Sequence, residues 1–274
     1  VHTEGITWHG ERILSMINTQ HWPNGSPQAA EDQQKRRKNM QQYENISIFL
    51  NWRAYDANTT SQAITSVDAR HTHSGKRIRF KAPFFADCTG DGWIGYWAGA
   101  EYTYGREPRS KYNEGLEKYG ELWSPKSGDN RVMGSSVLWR SVETDQPVSF
   151  PEVPWAMDVA QDYAATKGTW RWEFSNNDLH QIQNAEQIRD HMFRAIYGSF
   201  YNAKQDAENA KVKLKWMSYL AGKRESRRLV GDYIYTFNDM KKNRTFRDAI
   251  AKGTRNVDVH YQQWLKDSSK VDFL

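Results

Sequence analysis

Cysteine is nearly absent: Cys88 is the one such residue in a chain of 274. An internal disulfide framework is excluded, and so is any cysteine-ligated zinc or iron–sulfur centre. No apolar run approaches the roughly 18 residues that cross a bilayer as a helix, so no membrane span is expected. No repeat with a period of about 20–50 residues is visible, which argues against a solenoid or propeller. His71, His73, His180 and His191 show no ligand spacing with acidic neighbours, and no metal site is expected. The opening VHTEGITWHGERIL lacks the basic-then-apolar order of a secretory leader. The chain reads as an internal piece of a longer protein, so no compartment is assigned and secretion stays open.

What is present is an ordinary soluble balance, 26% charged and 38% hydrophobic. The formal charge is +5. Basic residues cluster at Lys35–Lys38, Lys223–Arg228 and Lys241–Arg247. Acidic residues are interspersed throughout and no nucleic-acid module is visible, so solvated helix faces are expected for the first and third clusters, and no nucleic-acid partner. Aromatics make up 14%, including 12 Trp. Trp52, Trp93, Trp97 and Trp139 fall in predicted strands or helices and are read as core. Trp155, Trp170 and Trp172 lie in an insert and are candidates for a substrate wall, where indole faces stack on flat or sugar rings.

Ala29–Tyr43 is long, polar and free of Gly and Pro, which predicts a helix. Ile46–Tyr55, Gln62–His71 and Lys76–Ala86 read as strands by β-branched and aromatic content, with a hairpin turn at His73–Gly75. Residues 110–130 read as loop, and Val132–Val142 as a strand. Asn184–Ala207 and Val212–Leu220 are helical in pattern. Ile188, Met192, Ala195, Ile196 and Phe200 recur at the spacing of one helix face, which is core.

The most informative stretch is Phe84–Ala100, FFADCTGDGWIGYWAGA. An apolar run enters a turn at Asp87–Gly92 and leaves as a helix. Free N–H groups at such a helix start favour phosphate or another anionic ligand. Gly90 and Gly92 let a backbone approach closely, and the Asp91 carboxylate suits hydroxyls better than phosphates. Cys88 is read as a small buried residue.

Ala86–Gly92 with Ala98–Ala100, the Met133–Trp139 strand (MGSSVLW) and the downstream block Ala221–Tyr233 (AGKRESRRLVGDY) together resemble the FAD-dependent oxidoreductases with a glutathione-reductase-like, two-dinucleotide-binding-domain fold. The resemblance covers most of the chain. It implies an α/β to α+β protein: an incomplete FAD/NAD(P)-binding-type domain with a β-meander, plus a mixed strand/helix substrate domain. The implied boundaries are 1–109 for the partial FAD domain, 110–220 for the substrate or cap domain with the aromatic insert, and 221–274 for a segment returning toward the cofactor domain. The family opens with a βαβ unit carrying G-x-G-x-x-G, which cradles the FAD pyrophosphate. No such run is expected anywhere in this chain, and pyrophosphate recognition is expected to lie outside it. The family's closing L-x-x-A-G-R segment is not found either.

On the same resemblance Arg53, Ala54 and Tyr55 lie near the FAD adenine, with Ala54 foremost. Thr89 and Gly90 lie under the adenosine diphosphate portion, and Asp91 and Gly92 orient the following helix or touch the cofactor. On a helix, Arg224 and Arg228 share a face at i, i+4 spacing, with Arg227 beside them. Three neighbouring arginines need an anion to offset them. A substrate carboxylate or reduced flavin fits that need, and so does a structural ion-pair network. His260, in Val257–Tyr261 (VDVHY), resembles a family position and is a candidate proton carrier. The implied function is transfer of hydride or electrons between FAD and a small organic substrate, anionic or carbohydrate-derived. The chain alone is expected to bind FAD poorly and to be inactive. The competing reading is a carbohydrate-binding or carbohydrate-processing accessory module built on the Trp-rich insert.

Overall fold

The computed structural model describes residues 6–7, 27–61, 63–121, 123–168, 172–174, 179–249 and 252–253. Helices and small antiparallel sheets alternate along the chain, and every strand pair among the described residues is antiparallel. The chain divides into two units. One comprises the described residues of Val1–Met40, Arg106–Glu225 and Thr245–Leu274; the other comprises Gln41–Gly105 and Ser226–Arg244.

In the first unit, β1 (Ile6–Thr7) pairs with β9 (Lys252–Gly253). Helix α1 (Pro27–Gln41), predicted from its polar run, buries none of its residues. The core forms around α4 (Ala185–Lys204), where Ile188, Met192, Ala195, Ile196 and Phe200 are fully buried, on the face their spacing predicts. They meet Val137, Trp139, Trp172 and Phe174. Gly198 lets α4 approach the short α3 (Met157–Ala160): a Cβ there would sit 3.0 Å from the Ala156 carbonyl oxygen.

Two strands of this unit differ from expectation. The predicted strand at Val132–Val142 contracts to β6 (Trp139–Glu143). Residues before it make only isolated bridges, Ser135 to Phe174 and Ser136 to Gly222. Val212–Leu220, expected to be helical, is instead strand β7 (Val212–Met217), paired with β6 from Glu143↔Val212 to Trp139↔Met217. The reason lies in Val212-Lys213-Leu214-Lys215-Trp216, which alternates with period two and places its lysines away from the core side. Lys204, at the end of α4, donates to the carbonyls of Asn209, Ala210 and Val212 at 2.7, 2.7 and 3.0 Å and so fixes the entry into β7.

In the second unit, β2 (Trp52–Thr60), β3 (Ala63–His71) and β4 (Arg77–Phe80) form the expected meander. The first strand starts later than Ile46, because Asn51 adopts a left-handed φ of 63° that ends extended backbone. The third ends at Phe80, short of Pro83, which cannot donate to a ladder. The β3–β4 turn closes through His71 N–H to the Lys76 carbonyl at 2.8 Å, with Gly75 at φ 70°. Helix α2 (Trp93–Trp97) follows, and β5 (Tyr102–Thr103) pairs with β8 (Arg228–Leu229). A capping box at Thr236 opens α5 (Phe237–Lys241). This unit buries polar groups among its few apolar ones: Asp68, Asp91, Ser226 and Asp239 are all buried.

Candidate functional site

The Asp87–Gly92 turn is built as a self-capped entry to α2. Asp87 accepts from Thr89 N–H at 3.0 Å and from the Thr89 hydroxyl at 2.6 Å through one oxygen, and from Gly95 N–H at 3.0 Å through the other. Thr89 Oγ1 accepts from Trp93 N–H at 2.9 Å. Burial alone would push the Asp87 carboxyl up. The hydrogen bonds from Thr89, Gly95 and Ile94 outweigh it and hold the group below the usual carboxylate range. The expected free N–H groups at this helix start are therefore occupied by the protein's own side chains. Cys88, expected to be buried, is exposed, because the turn directs Asp87 and not its neighbour toward α2.

The run Gly90-Asp91-Gly92-Trp93-Ile94-Gly95 does spell G-x-G-x-x-G, which corrects the expectation that the chain lacks it. Its context differs from the dinucleotide fingerprint, which needs a preceding strand and a helix start open to pyrophosphate. The residues before it, 81–88, form no strand, and α2 has only five residues. The last two glycines serve packing. A Cβ at Gly92 would lie 3.2 Å from Leu229 side-chain carbons, and one at Gly95 would overlap that side chain.

The Arg224–Arg228 block is not helical, so the expected shared helix face does not form. The block is extended and enters β8. Arg224 pairs with Glu173, whose side chain is 3% exposed. Glu225 accepts from Met133 N–H at 2.9 Å, which positions the Met133–Trp139 segment. Both partners lie in the first unit, as do Arg224 and Glu225. Ser226 donates to Asp91 Oδ1 at 2.7 Å, with both residues buried. The Arg227 guanidinium lies 3.8 Å from the Tyr96 ring centroid, 4.4 Å from that of Trp93 and 5.5 Å from that of Tyr102, and donates to the Asp91 carbonyl at 3.2 Å. Such cation–π contacts fix a guanidinium without a carboxylate. Arg228 donates to the Gly105 carbonyl. These contacts belong to the second unit, and they gather the two separated motifs around α2.

Beside the meander lies a cavity of about 640 Å³ whose walls include Arg53, Ala54 and Tyr55 of β2, Arg70 and His71 of β3, and Trp93 and Trp97 of α2. The two indoles stack with centroids 5.4 Å apart. The resemblance singled out Arg53–Tyr55; Trp93 and Trp97, read as core, are instead half-buried and join them, with Arg70 and His71, only through strand register and the placement of α2. His260 and Trp170 lie outside the described residues. Trp172, a candidate for a substrate wall, is 1% exposed and belongs to the core. Trp155 stays half exposed. Among the described residues no cluster of His, Cys, Asp or Glu is arranged to hold a metal, and no helix is long and apolar enough to cross a membrane.

Residues 16–272 match the family model described as FAD dependent oxidoreductase. The chain belongs to the FAD-dependent oxidoreductase family. No curated protein and no solved structure matches it significantly. Membership implies FAD as cofactor and flavin-linked redox chemistry for this oxidoreductase. The cavity beside Arg53–Tyr55 offers indole surface for a flat ring and arginines for phosphate. The α2 start does not fit the pyrophosphate, since Asp87 already occupies its N–H groups.

Proposed function

We propose that this chain supplies the adenosine side of an FAD-dependent oxidoreductase of the glutathione-reductase-like, two-dinucleotide-binding-domain type, acting on a small organic substrate. When bound, FAD supplies transfer of a hydride or an electron pair. Ala54 and its neighbours Arg53 and Tyr55 would border the adenine. Thr89 and Gly90 would run under the adenosine diphosphate, with Gly90 open because a Cβ there would meet nothing within 4 Å. Asp91 and Gly92 set the start of α2 through Ser226 and Leu229.

The observation that carries this reading is the Ser226–Asp91 hydrogen bond with the Arg227 aromatic cage around α2. It joins the D-C-T-G-D-G turn to the R-E-S-R-R block, the motifs most specific to the resemblance. Arg227 and Arg228 are read as positioning residues. Arg224 and the substrate remain linked only by charge type, and His260 stays the proposed proton carrier. Residues 1–109, 110–220 and 221–274 keep their proposed roles as cofactor, substrate and returning segments.

Flavin content tests the reading. The full protein is expected to purify with stoichiometric flavin absorbance, whereas the 274-residue chain alone takes up FAD weakly and lacks turnover. A full protein that neither carries nor binds flavin would overturn it.

A further inference from the structure

A second cavity, of about 470 Å³, lies within the first unit, large enough for a small organic molecule. Three segments wall it. Glu143 ends β6, with Val212 opposite it on β7; Ala165–Lys167 form a loop; Glu208 and Asn209 follow α4. Ala165 and Val212 are buried and supply apolar lining.

Each wall is pinned through its backbone. Ala165 N–H donates to the Ser199 carbonyl of α4 at 3.0 Å, and the Ser141 hydroxyl donates to the Thr166 carbonyl. Asn209 Nδ2 donates to the Ala203 carbonyl at 2.9 Å, while Lys204 holds the Asn209 carbonyl at 2.7 Å. Thr144, next to Glu143, donates its N–H and its hydroxyl to the Lys211 carbonyl, both at 2.8 Å. Walls already ordered spare a ligand the cost of ordering them.

The charged side chains on these walls are uncommitted. Glu143, Lys167 and Glu208 make no side-chain hydrogen bond or ion pair with any described residue, and Lys167 bridges neither carboxylate. Two carboxylates and one ammonium line the cavity, which makes it acidic in a chain of formal charge +5. Its complement is a molecule with two cationic groups, one carboxylate and an aliphatic stem.

We propose that this cavity binds a dibasic α-amino acid of the lysine or arginine kind. Glu143 and Glu208 take its two cationic groups and Lys167 its carboxylate, through charge-assisted hydrogen bonds. Ala165 and Val212 meet its aliphatic stem. The bound ligand joins β6, the Ala165–Lys167 loop and the turn after α4, and so stabilises the first unit by mass action. The site is independent of the cofactor reading above.

The test is calorimetry and thermal melting of the full protein with three probes: L-lysine, L-norleucine, which lacks the side-chain ammonium, and cadaverine, which lacks the carboxylate. L-lysine is expected to bind saturably, about tenfold or more tighter than either, with affinity falling as salt rises. It also raises Tm with concentration. Glu143→Gln, Glu208→Gln and Lys167→Met each weaken L-lysine about tenfold or more, and Lys167→Met leaves cadaverine no weaker. Glu152→Gln, exposed and outside the cavity, leaves binding unchanged. Without ligand the three cavity variants melt with the parent, because none breaks an ion pair. No saturable binding of L-lysine, equal affinity for L-norleucine or cadaverine, or cavity variants indistinguishable from Glu152→Gln would overturn the site, whatever the flavin content.

Discussion

Ser226 donates a 2.7 Å hydrogen bond to Asp91, a residue 135 positions earlier, and both are buried. A buried carboxylate that loses a donor keeps its desolvation cost without the compensating bond. Ser226→Ala is therefore expected to destabilise the protein by about 1–3 kcal/mol, read from the urea midpoint. Ser226→Thr keeps the hydroxyl and should recover part of the loss. A Ser226→Ala variant as stable as the parent would remove this bond from the account of how the two motifs are joined.

Arg227 meets its partners through ring faces and the Asp91 carbonyl. Its planar guanidinium stacks, whereas an ammonium is a compact point charge. Arg227→Lys should therefore fail to restore the thermal stability lost in Arg227→Ala, whose loss is on the order of 1–2 kcal/mol. Full rescue by lysine would mean that charge alone matters, and would return Arg227 to the list of anion-binding candidates.

The contacts behind these predictions were only partly legible in the sequence. Helix α4 was, because Ile188, Met192, Ala195, Ile196 and Phe200 repeat at helical spacing, and burial of that face is a local property. The meander was, because its strands adjoin in sequence. Strand β7 was not: its period-two alternation is short, and its partner β6 lies far upstream. The Arg227 cage and the pairing of Arg53 with Arg70 across β2–β3 depend on register and tertiary placement, which no local pattern encodes. Gly95 illustrates the same limit, since its third-glycine position mimics a phosphate fingerprint while Leu229 fills the space above it.

Arg224 and Glu173 give a different test. The Glu173 side chain is 3% exposed and that of Arg224 26%. Removing the arginine takes an ion-pair partner from a buried carboxylate. A fully buried pair broken this way costs about 3–5 kcal/mol; the residual exposure of Arg224 lowers the expectation to roughly 2–3 kcal/mol. Glu173→Gln combined with Arg224→Met should be closer to the parent than either single variant. Additive losses in that double-mutant cycle would show that the two residues do not act as a pair.

Asp239 predicts an acid limb. It accepts from the Tyr233 hydroxyl at 2.6 Å, from Thr236 N–H and from the Thr236 hydroxyl, each at 2.9 Å, and faces Arg244. The Tyr233 hydroxyl foremost, then the Thr236 N–H, hold its carboxyl at about 2, below the usual 3.8. A depressed carboxyl contributes stability that is complete above the unfolded value and is lost as pH falls toward the folded one. Melting temperature should therefore drop between about pH 4 and pH 2 through this group. Asp239→Asn should melt lower at neutral pH and show a shallower fall over that window. An unchanged acid slope in the variant would assign the limb to other carboxylates.

Trp172 and Trp155 separate core from surface within one aromatic insert. Trp172 is 1% exposed, packs edge-on to Tyr163 at 4.7 Å and belongs to the central cluster, whereas Trp155 is 53% exposed. A ring already enclosed by protein has no face to offer a sugar. Trp172→Ala should cost about 3–5 kcal/mol as a large core truncation, and Trp155→Ala less than about 1 kcal/mol. Saccharide titration of the parent should produce no saturable fluorescence quenching. Quenching that survives in Trp155→Ala and requires Trp172 would mean that the core opens to ligand, and would reinstate the insert as a carbohydrate surface.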